Sequence, residues 1–292
     1  MEKIMYVYNP KSGNGTISTK TNNIIETINN NKDIIIPYMI GASKDDFSDD
    51  VIKKIMPDKI IAAGGDGTIS KMAGKLKSLG LDDIPIGIIP AGTCNDLARI
   101  LNLTGSVEHL VDRYAKGSAK QIDIGMVNGR YFLNTFAGGM IAGVSSDTNQ
   151  EFKKNAGKLA YYLMTLAELG NIKPFDLTVE HDEGKIEGRF IFFLVLNGKH
   201  AGGIQNVIPD ADINDGYLDV MLIRECNPLD ILPMLVEFSQ GKHKNNKNIE
   251  MFKTKRLYID GDESVITTID GERGINLPCR IKCIEKGFSV IL

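Results

Sequence analysis

The sequence predicts two different halves, an α/β amino-terminal domain and a mainly antiparallel, β-sandwich-type carboxyl-terminal domain. As far as about residue 120, strands alternate with helices, which favours a mainly parallel sheet. Three glycine-bearing loops each follow an apolar strand in this half. Beyond Gly117 the chain is rich in strands, several of them separated by Asn-Gly or Asp-Gly turns. We therefore predict one domain over residues 1–120 and a second over residues 121–292.

Short apolar runs indicate the strands of the first half, and apolar residues at helical spacing indicate its helices. The predicted strands are residues 4–8, 34–39, 60–63 and 84–89, and the predicted helices are residues 18–30, 44–55, 69–79 and 97–101. In open parallel sheets, ligands bind at the carboxyl ends of the strands, where all three loops would lie. We therefore expect the three loops to form one site.

The second half is predicted to be mostly antiparallel sheet with two helical insertions. Its predicted strands are residues 120–127, 131–135, 175–180, 189–197, 217–223 and 257–260. One insertion covers residues 155–169, where leucine and tyrosine form a helical stripe, and the other covers residues 229–238. The last strands could pair with either domain.

Composition places the chain among ordinary soluble globular proteins. Its 292 residues are 42% hydrophobic and 24% charged, with a net charge of −3. No global basic field favours nucleic acid as a partner. No apolar run approaches the roughly 18 residues of a membrane-spanning helix, and the first residues lack a signal-peptide pattern. A cytoplasmic location is expected.

Cysteine and histidine spacing gives no metal-binding pattern. The four cysteines, Cys94, Cys226, Cys279 and Cys283, show no CxxC spacing, so reduced packing residues are favoured over a zinc site. The four histidines are scattered, and we expect them at the surface or in loops. They are His109, His181, His200 and His243.

The central loop is Gly64-Gly65-Asp66-Gly67-Thr68, directly after a buried strand. Three glycines let the backbone approach a bulky ligand, and the N–H groups of the following helix can face an anion. Asp66 repels phosphate, so it would hold a metal or accept a proton beside phosphates. The alternative is a simple Asp-Gly turn with Thr68 as the helix N-cap.

Six motifs in order resemble the diacylglycerol kinase catalytic-domain family, most closely its soluble bacterial lipid kinases. They are NPKSG at 9–13, GGDGT at 64–68, PAGTCND at 90–96, DIG at 123–125, PDADINDGYLD at 209–219 and DGE at 270–272. GGDGT alone also resembles NAD kinases and phosphofructokinases. The resemblance implies a Rossmann-like, three-layer first domain of the kind that NAD kinases and diacylglycerol kinases share. The chain departs from the family at Ser70 and Lys71, where Asn and Glu are common.

The resemblance also implies a role for each matching residue. The ATP-binding residues would be Asn9, Pro10, Lys11, Ser12, Gly13, Gly64, Gly65, Asp66, Gly67, Thr68 and Thr93. Asp66, Asp96 and Asp123 would form an acidic network beside the metal-bound phosphates. Glu272 would be the general base. Asp212, Asp215 and the backbone of Tyr217 would hold a second, structural Mg²⁺.

The expected function is therefore an ATP- and Mg²⁺-dependent lipid kinase of phospholipid biosynthesis. Its expected substrate is a glycerolipid, with diacylglycerol as the first candidate. The enzyme would reach this substrate by transient contact with the inner membrane face. Related enzymes are commonly homodimers. Two alternatives stay open, a phosphotransferase similar to NAD kinase and a nucleotide-binding sensor without catalysis.

Overall fold

The computed structural model describes residues 1–10, 16–30, 33–40, 47–139, 173–239 and 242–292. The described chain forms two compact units, residues Met1–Ile122 with Lys286–Leu292 and residues Asp123–Glu285. Parallel strands build the first unit and antiparallel strands build the second. The predicted fold class is thus confirmed. The helix predicted at residues 155–169 lies outside the described residues.

The first unit is built on a parallel sheet in the order β2-β1-β3-β4. Its strands are β1 Lys3–Tyr8, β2 Ile34–Met39, β3 Lys59–Gly64 and β4 Ile86–Pro90. Every residue from 60 to 63 is buried, as is typical of a parallel strand covered on both faces. Val290, in the last strand of the chain, pairs in parallel with Ile86 and extends this sheet.

Five helices of the first unit are described. They are α1 Thr16–Asn30, α2 Asp49–Ile55, α3 Asp66–Ser78, α4 Asp96–Ile100 and α5 Val107–Lys116. Helix α2 begins later than the predicted residue 44, because Ser48 is an extended N-cap.

Helix α5 was not predicted from the sequence. It buries Leu110, Val111 and Tyr114 on one face. The Tyr114 hydroxyl donates a hydrogen bond to the Ile88 carbonyl. A Cβ at Gly87 would lie 2.6 Å from the Tyr114 ring, so the absent side chain lets the ring pack on β4.

The second unit is an antiparallel assembly of strands, although residues 119–122 of its first strand and residues 286–291 of its last strand belong to the first unit. The strands are β5 Ala119–Val127, β6 Arg130–Phe132, β7 Thr135–Gly139, β8 Phe175–His181, β9 Gly184–Leu196, β10 Leu218–Arg224, β11 Ile249–Thr254, β12 Arg256–Gly261, β13 Thr267–Ile269, β14 Glu272–Arg273 and β15 Cys279–Ile291. The order is β14-β13-β7-β9-β8-β12-β15, while β10 joins β9 to β11 and β5 joins β6 to β15. Helix α6, Pro228–Ser239, confirms the insertion predicted at residues 229–238.

Strand β9 separates two hydrophobic cores. Phe193 and Val195 pack in one core with β8, β12 and β15, whereas Phe192 and Leu194 pack in the other with α6. The register of β10 on β9 shifts between Ile223 and its neighbour, which marks a bulge. Both faces of β9 are therefore buried over residues 190–196, which form a continuous apolar run, whereas no residue of its first half is fully buried.

One histidine contradicts the sequence-based prediction. His243 is fully buried, its ring stacks on Phe238 at 4.0 Å, and its Nε2 lies 2.6 Å from the Val207 carbonyl oxygen. The expectation of a surface or loop histidine is wrong here, because the ring fills a core position. All four cysteines are free thiols. Among the described helices, none has the length and apolar character needed to cross a membrane.

Candidate active site

The GGDGT segment joins β3 to α3 without a separate loop. Gly65 is the N-cap of α3, with φ −89° and ψ 177°, so the helix begins at Asp66. Thr68 lies in the first turn, where its N–H donates to the Gly65 carbonyl at 2.9 Å. The alternative of Thr68 as N-cap is therefore wrong. A Cβ at Gly64 would lie 2.6 Å from the Thr68 Cβ, so a larger residue would displace this turn.

The PAGTCND loop after β4 lies backbone to backbone against the GGDGT segment, where the Ala91 N–H donates to the Gly64 carbonyl at 2.9 Å. A Cβ at Gly92 would lie 2.6 Å from the Gly65 Cα. Asn95, in the left-handed region with φ 51°, closes the loop by bonding Gly92 twice. Its Oδ1 accepts the Gly92 N–H at 2.7 Å, and its Nδ2 donates to the Gly92 carbonyl at 2.8 Å. Gly65 and Gly92, at the ends of β3 and β4, thus lie side by side and form one surface, which we call the glycine surface.

Carboxylates and a hydroxyl border this glycine surface. Asp66 is partly exposed, and its Oδ1 accepts the Leu97 N–H at 3.3 Å. Asp96 is the first residue of α4 and is buried, while Thr93 is exposed in the preceding loop. The structure therefore brings Asp66, Thr93 and Asp96 to the carboxyl ends of two neighbouring strands, as the sequence predicts.

The first predicted ATP-binding segment begins at the end of β1. The Asn9 N–H donates to the Ala63 carbonyl of β3 at 3.4 Å, and Pro10 follows. Lys11, Ser12 and Gly13 lie outside the described residues.

Asp123 is a buried carboxylate of the second unit. Its Oδ2 accepts the Gly216 N–H at 2.7 Å, and its own N–H donates to the Ile213 carbonyl at 3.0 Å. These bonds tie β5 to the loop that carries the predicted metal ligands. A Cβ at Gly125 would lie 1.9 Å from the Phe132 ring, so the glycine of the DIG motif leaves room for that ring.

The predicted metal ligands Asp212, Asp215 and Tyr217 share the loop before β10. Asp215 Oδ1 accepts the Tyr217 N–H at 3.0 Å, and Asp212 is exposed. Lys253 Nζ lies 2.6 Å from Asp215 Oδ2, so an ammonium group supplies positive charge there. Within the described ranges, no group of three or more His, Cys, Asp or Glu side chains is arranged to hold a metal ion.

The surroundings of Asp219 bear on whether this loop could bind a cation. Its side chain is only 4% exposed, and its Oδ2 has no hydrogen-bond partner in the described part of the chain. Burial raises its pKa to about 7, against the opposing effect of Lys253. Carboxylate and carbonyl oxygens are the ligands that Mg²⁺ and Ca²⁺ prefer. The oxygens of Asp215 and Asp219 thus have the chemistry that a hard divalent cation takes, and in this structure the Lys253 ammonium group pairs with Asp215.

Glu272 follows a tight turn. Asp270 and Gly271 both have positive φ, 46° and 80°, and connect β13 to β14, in which Glu272 faces Ile269 across the ladder. Consecutive positive φ values are typical of a two-residue hairpin, for which Asp-Gly is a favoured pair. Glu272 is partly exposed.

Sequence reasoning assigned no role to four residues that organise these sites. Asp270 and Asn197 hold backbone segments, while Asp219 and Lys253 set the charge of the acidic loop. The available signal for Asn197 was a polar residue directly after the apolar run of β9. Asp270 lies inside the DGE motif, and Asp219 ends PDADINDGYLD.

Comparison with known proteins gives the same two-part organisation. Residues 3–127 match the model of the diacylglycerol kinase catalytic domain, and residues 135–292 match that of the YegS C-terminal NAD kinase beta sandwich-like domain. The diacylglycerol kinase of Bacillus subtilis is 34% identical over 237 residues, 80% of this chain and 78% of the relative. That of Staphylococcus aureus is 32% identical over 238 residues, 80% of this chain and 74% of the relative.

A solved structure extends the similarity to almost the whole chain. The crystal structure of a diacylglycerol kinase from Bacillus anthracis has a TM-score of 0.83 at 27% identity and covers 99% of this chain and 96% of that one. The fold and the matched domains define a kinase. The chain belongs to the diacylglycerol kinase family.

Proposed function

We propose that this protein transfers the γ-phosphate of ATP to the hydroxyl of a glycerolipid in the presence of Mg²⁺, and that the glycerolipid is diacylglycerol. The product would be phosphatidate. Membership of a lipid kinase family supports the reaction class, and the names of the relatives support the substrate. The enzyme would meet its substrate at the inner membrane face.

The observation that carries this proposal is the backbone contact between Gly65 and Gly92. Phosphoryl transfer depends mainly on positioning and on neutralising phosphate charge. The two glycines leave backbone and the first turn of α3 accessible to phosphates, and α3 is long enough to have a positive end. Asn9, Pro10 and Thr93 would complete the described part of the nucleotide site.

Acidic residues would perform two different tasks. Asp66, with Asp96 and Asp123, would face the metal-bound phosphates. When it is bound, Mg²⁺ would offset the negative charge of the phosphates. Glu272 would accept the proton of the lipid hydroxyl, because an alcohol has no useful anion at neutral pH. Asp212, Asp215 and the Tyr217 carbonyl would hold a further Mg²⁺ remote from the chemistry.

The test is phosphate transfer from ATP in mixed micelles, with diacylglycerol present or absent and with NAD in parallel. We expect Mg²⁺-dependent transfer that requires diacylglycerol. Phosphorylation of NAD without lipid would instead favour a NAD kinase-like activity. If ATP were consumed only with a different glycerolipid, the proposed reaction class would stand and diacylglycerol would be rejected as the substrate.

A matched pair of variants tests the general base. Glu272→Gln keeps the size of the side chain but removes the base, so kcat should fall by about 100-fold or more with little change in the KM for ATP. Glu263→Gln makes the same chemical change at an exposed position and should keep wild-type turnover. Wild-type kcat in Glu272→Gln would end the assignment of Glu272.

A further inference from the structure

The carboxylate of Asp270 accepts hydrogen bonds from three consecutive backbone N–H groups. Its Oδ2 accepts from Leu133 at 2.8 Å, and its Oδ1 accepts from Asn134 at 2.9 Å and from Thr135 at 2.8 Å. The Asp270 N–H also donates to the Thr135 carbonyl at 2.8 Å. One residue thus binds the turn before Glu272 to a segment more than 130 positions earlier in the chain.

An Asp-Gly hairpin turn forms without these hydrogen bonds, because the positive φ values of its two residues already give the backbone conformation that the turn requires. Strand β14, however, contains only Glu272 and Arg273, and its ladder partner in the described sheet is the three-residue strand β13. So short a hairpin is weakly held by its own backbone bonds. Strand β13 is also held on β7, whereas in the described sheet β14 pairs only with β13, so the position of Glu272 depends on how firmly the Asp270 turn is fixed.

Residues 133–135, to which Asp270 binds, are also held by hydrogen bonds from the buried residue Asn197. The Asn197 Nδ2 donates to the Leu133 carbonyl at 2.9 Å and to the Asp123 carbonyl at 2.7 Å, and its N–H donates to the Asn134 carbonyl at 2.8 Å. Asn197 is completely buried. Asn197 thus links the backbone of Asp123 to residues 133 and 134, and Asp270 binds residues 133–135 from a later part of the same unit.

We propose that Asp270 is a positioning residue, which holds the Glu272 carboxylate in place for proton transfer, and that Asn197 fixes the segment on which Asp270 acts. This inference rests on the proposed role of Glu272 as general base. Asp270 itself acts through the turn and accepts backbone protons, so it does not take part in the chemistry.

Asp182 provides a matched control in the same unit. Its carboxylate accepts from the Lys255 N–H at 2.8 Å, the Thr254 hydroxyl at 2.9 Å and the Arg256 Nε at 3.0 Å. It therefore clamps a connection between strands much as Asp270 does, but that connection carries none of the proposed catalytic residues. Disrupting either clamp should lower stability, whereas only disruption of the Asp270 clamp should also lower kcat.

The experiment is a double-mutant cycle with Asp270→Asn and Glu272→Gln. Both oxygens of Asp270 accept backbone N–H groups, so an asparagine amide faces a donor whichever way it is turned. Asp270→Asn should lower kcat by about 10- to 100-fold, the range expected for a displaced catalytic group, with the KM for ATP changed less than about twofold. In the Glu272→Gln background the same change should lower kcat by less than about twofold, because its target is gone.

Asp182→Asn should lower the melting temperature while keeping wild-type kcat. Asp270→Asn with wild-type kcat, or with an equal loss of kcat in both Glu272 backgrounds, would overturn this inference alone. Wild-type kcat in Glu272→Gln by itself would overturn the base assignment and this inference with it. If Asp270→Asn fails to fold, Asp270→Ser retains one acceptor without a fixed amide donor and undergoes the same cycle.

Discussion

Replacing Gly92 by alanine should damage the proposed nucleotide site, because the new Cβ would overlap two neighbouring atoms. The new Cβ would lie 2.6 Å from the Gly65 Cα and 2.9 Å from the Asn95 Oδ1. Carbon atoms pack at about 3.5–4.0 Å, so the two loops would have to separate by about 1 Å. Neither obstacle is the free end of a flexible side chain, because Asn95 is bonded twice to Gly92.

The expected loss of stability follows from this overlap. Overpacking of this kind destabilises proteins by about 1–3 kcal/mol. At about 2–4 °C per kcal/mol for chains approaching this size, the melting temperature should fall by about 2–12 °C. The moved loop also carries Thr93 and borders Asp66, so the KM for ATP should rise by about tenfold, which corresponds to about 1.4 kcal/mol of binding.

Gly74→Ala is the internal control. Gly74 lies inside α3, and apart from its chain neighbours and the backbone of the helix itself a Cβ there would meet no atom within 4 Å. Alanine in a helix interior should stabilise by about 0.5–1 kcal/mol and leave the KM for ATP unchanged. Thermal unfolding and ATP saturation curves of the two variants provide the comparison. A Gly92→Ala protein with the wild-type melting temperature and KM would refute the contact argument.

Two further predictions concern charge. Partial burial favours a raised pKa for Asp182, but its hydrogen bonds from Lys255, Arg256 and Thr254 outweigh this and lower the pKa to about 2. The stability from this clamp is thus present above the unfolded pKa of about 4 and is lost as pH falls towards 2. The melting-temperature gap between wild type and Asp182→Asn should narrow from pH 7 to pH 2; a constant gap would contradict the assignment. Lys253→Met removes the ammonium group beside Asp215, so added Mg²⁺ should raise its melting temperature more than that of wild type. Equal Mg²⁺ responses in the two proteins would show that Lys253 does not compete with the ion.

The sequence predicted the parts of the fold that local patterns encode. The buried run at residues 60–63 and the helical spacing after the glycines predict a parallel strand followed by a helix, and β3 and α3 confirm this; the ligand site at the end of β3 stays a prediction. Helix α5 was not predicted although Leu110, Val111 and Tyr114 lie at helical spacing after the N-cap Ser106, so here the local pattern was present and was overlooked. Strand β15 was missed because exposed polar residues interrupt its first half.

The residues of the candidate site also differ in whether a local sequence pattern points to them. Asp66 and Thr93 could be predicted because each belongs to a short glycine motif at a strand end. The functions of Asn197 and Asp270 depend on partners 64 and 137 residues away in the chain, which no local pattern specifies. The pairing of Lys253 with Asp215 likewise spans 38 residues.

Strand β15 also has a consequence for the order of folding during synthesis. Its residues 279–282 pair with β12, whereas Val290 pairs with β4 and the Leu292 N–H donates to the Ser118 carbonyl at 3.4 Å. Although domains generally fold in the order in which the ribosome makes them, the first unit lacks a strand until residues 286–292 emerge. A nascent chain of residues 1–122 should therefore present an open β4 edge, and the intervening unit can become compact first.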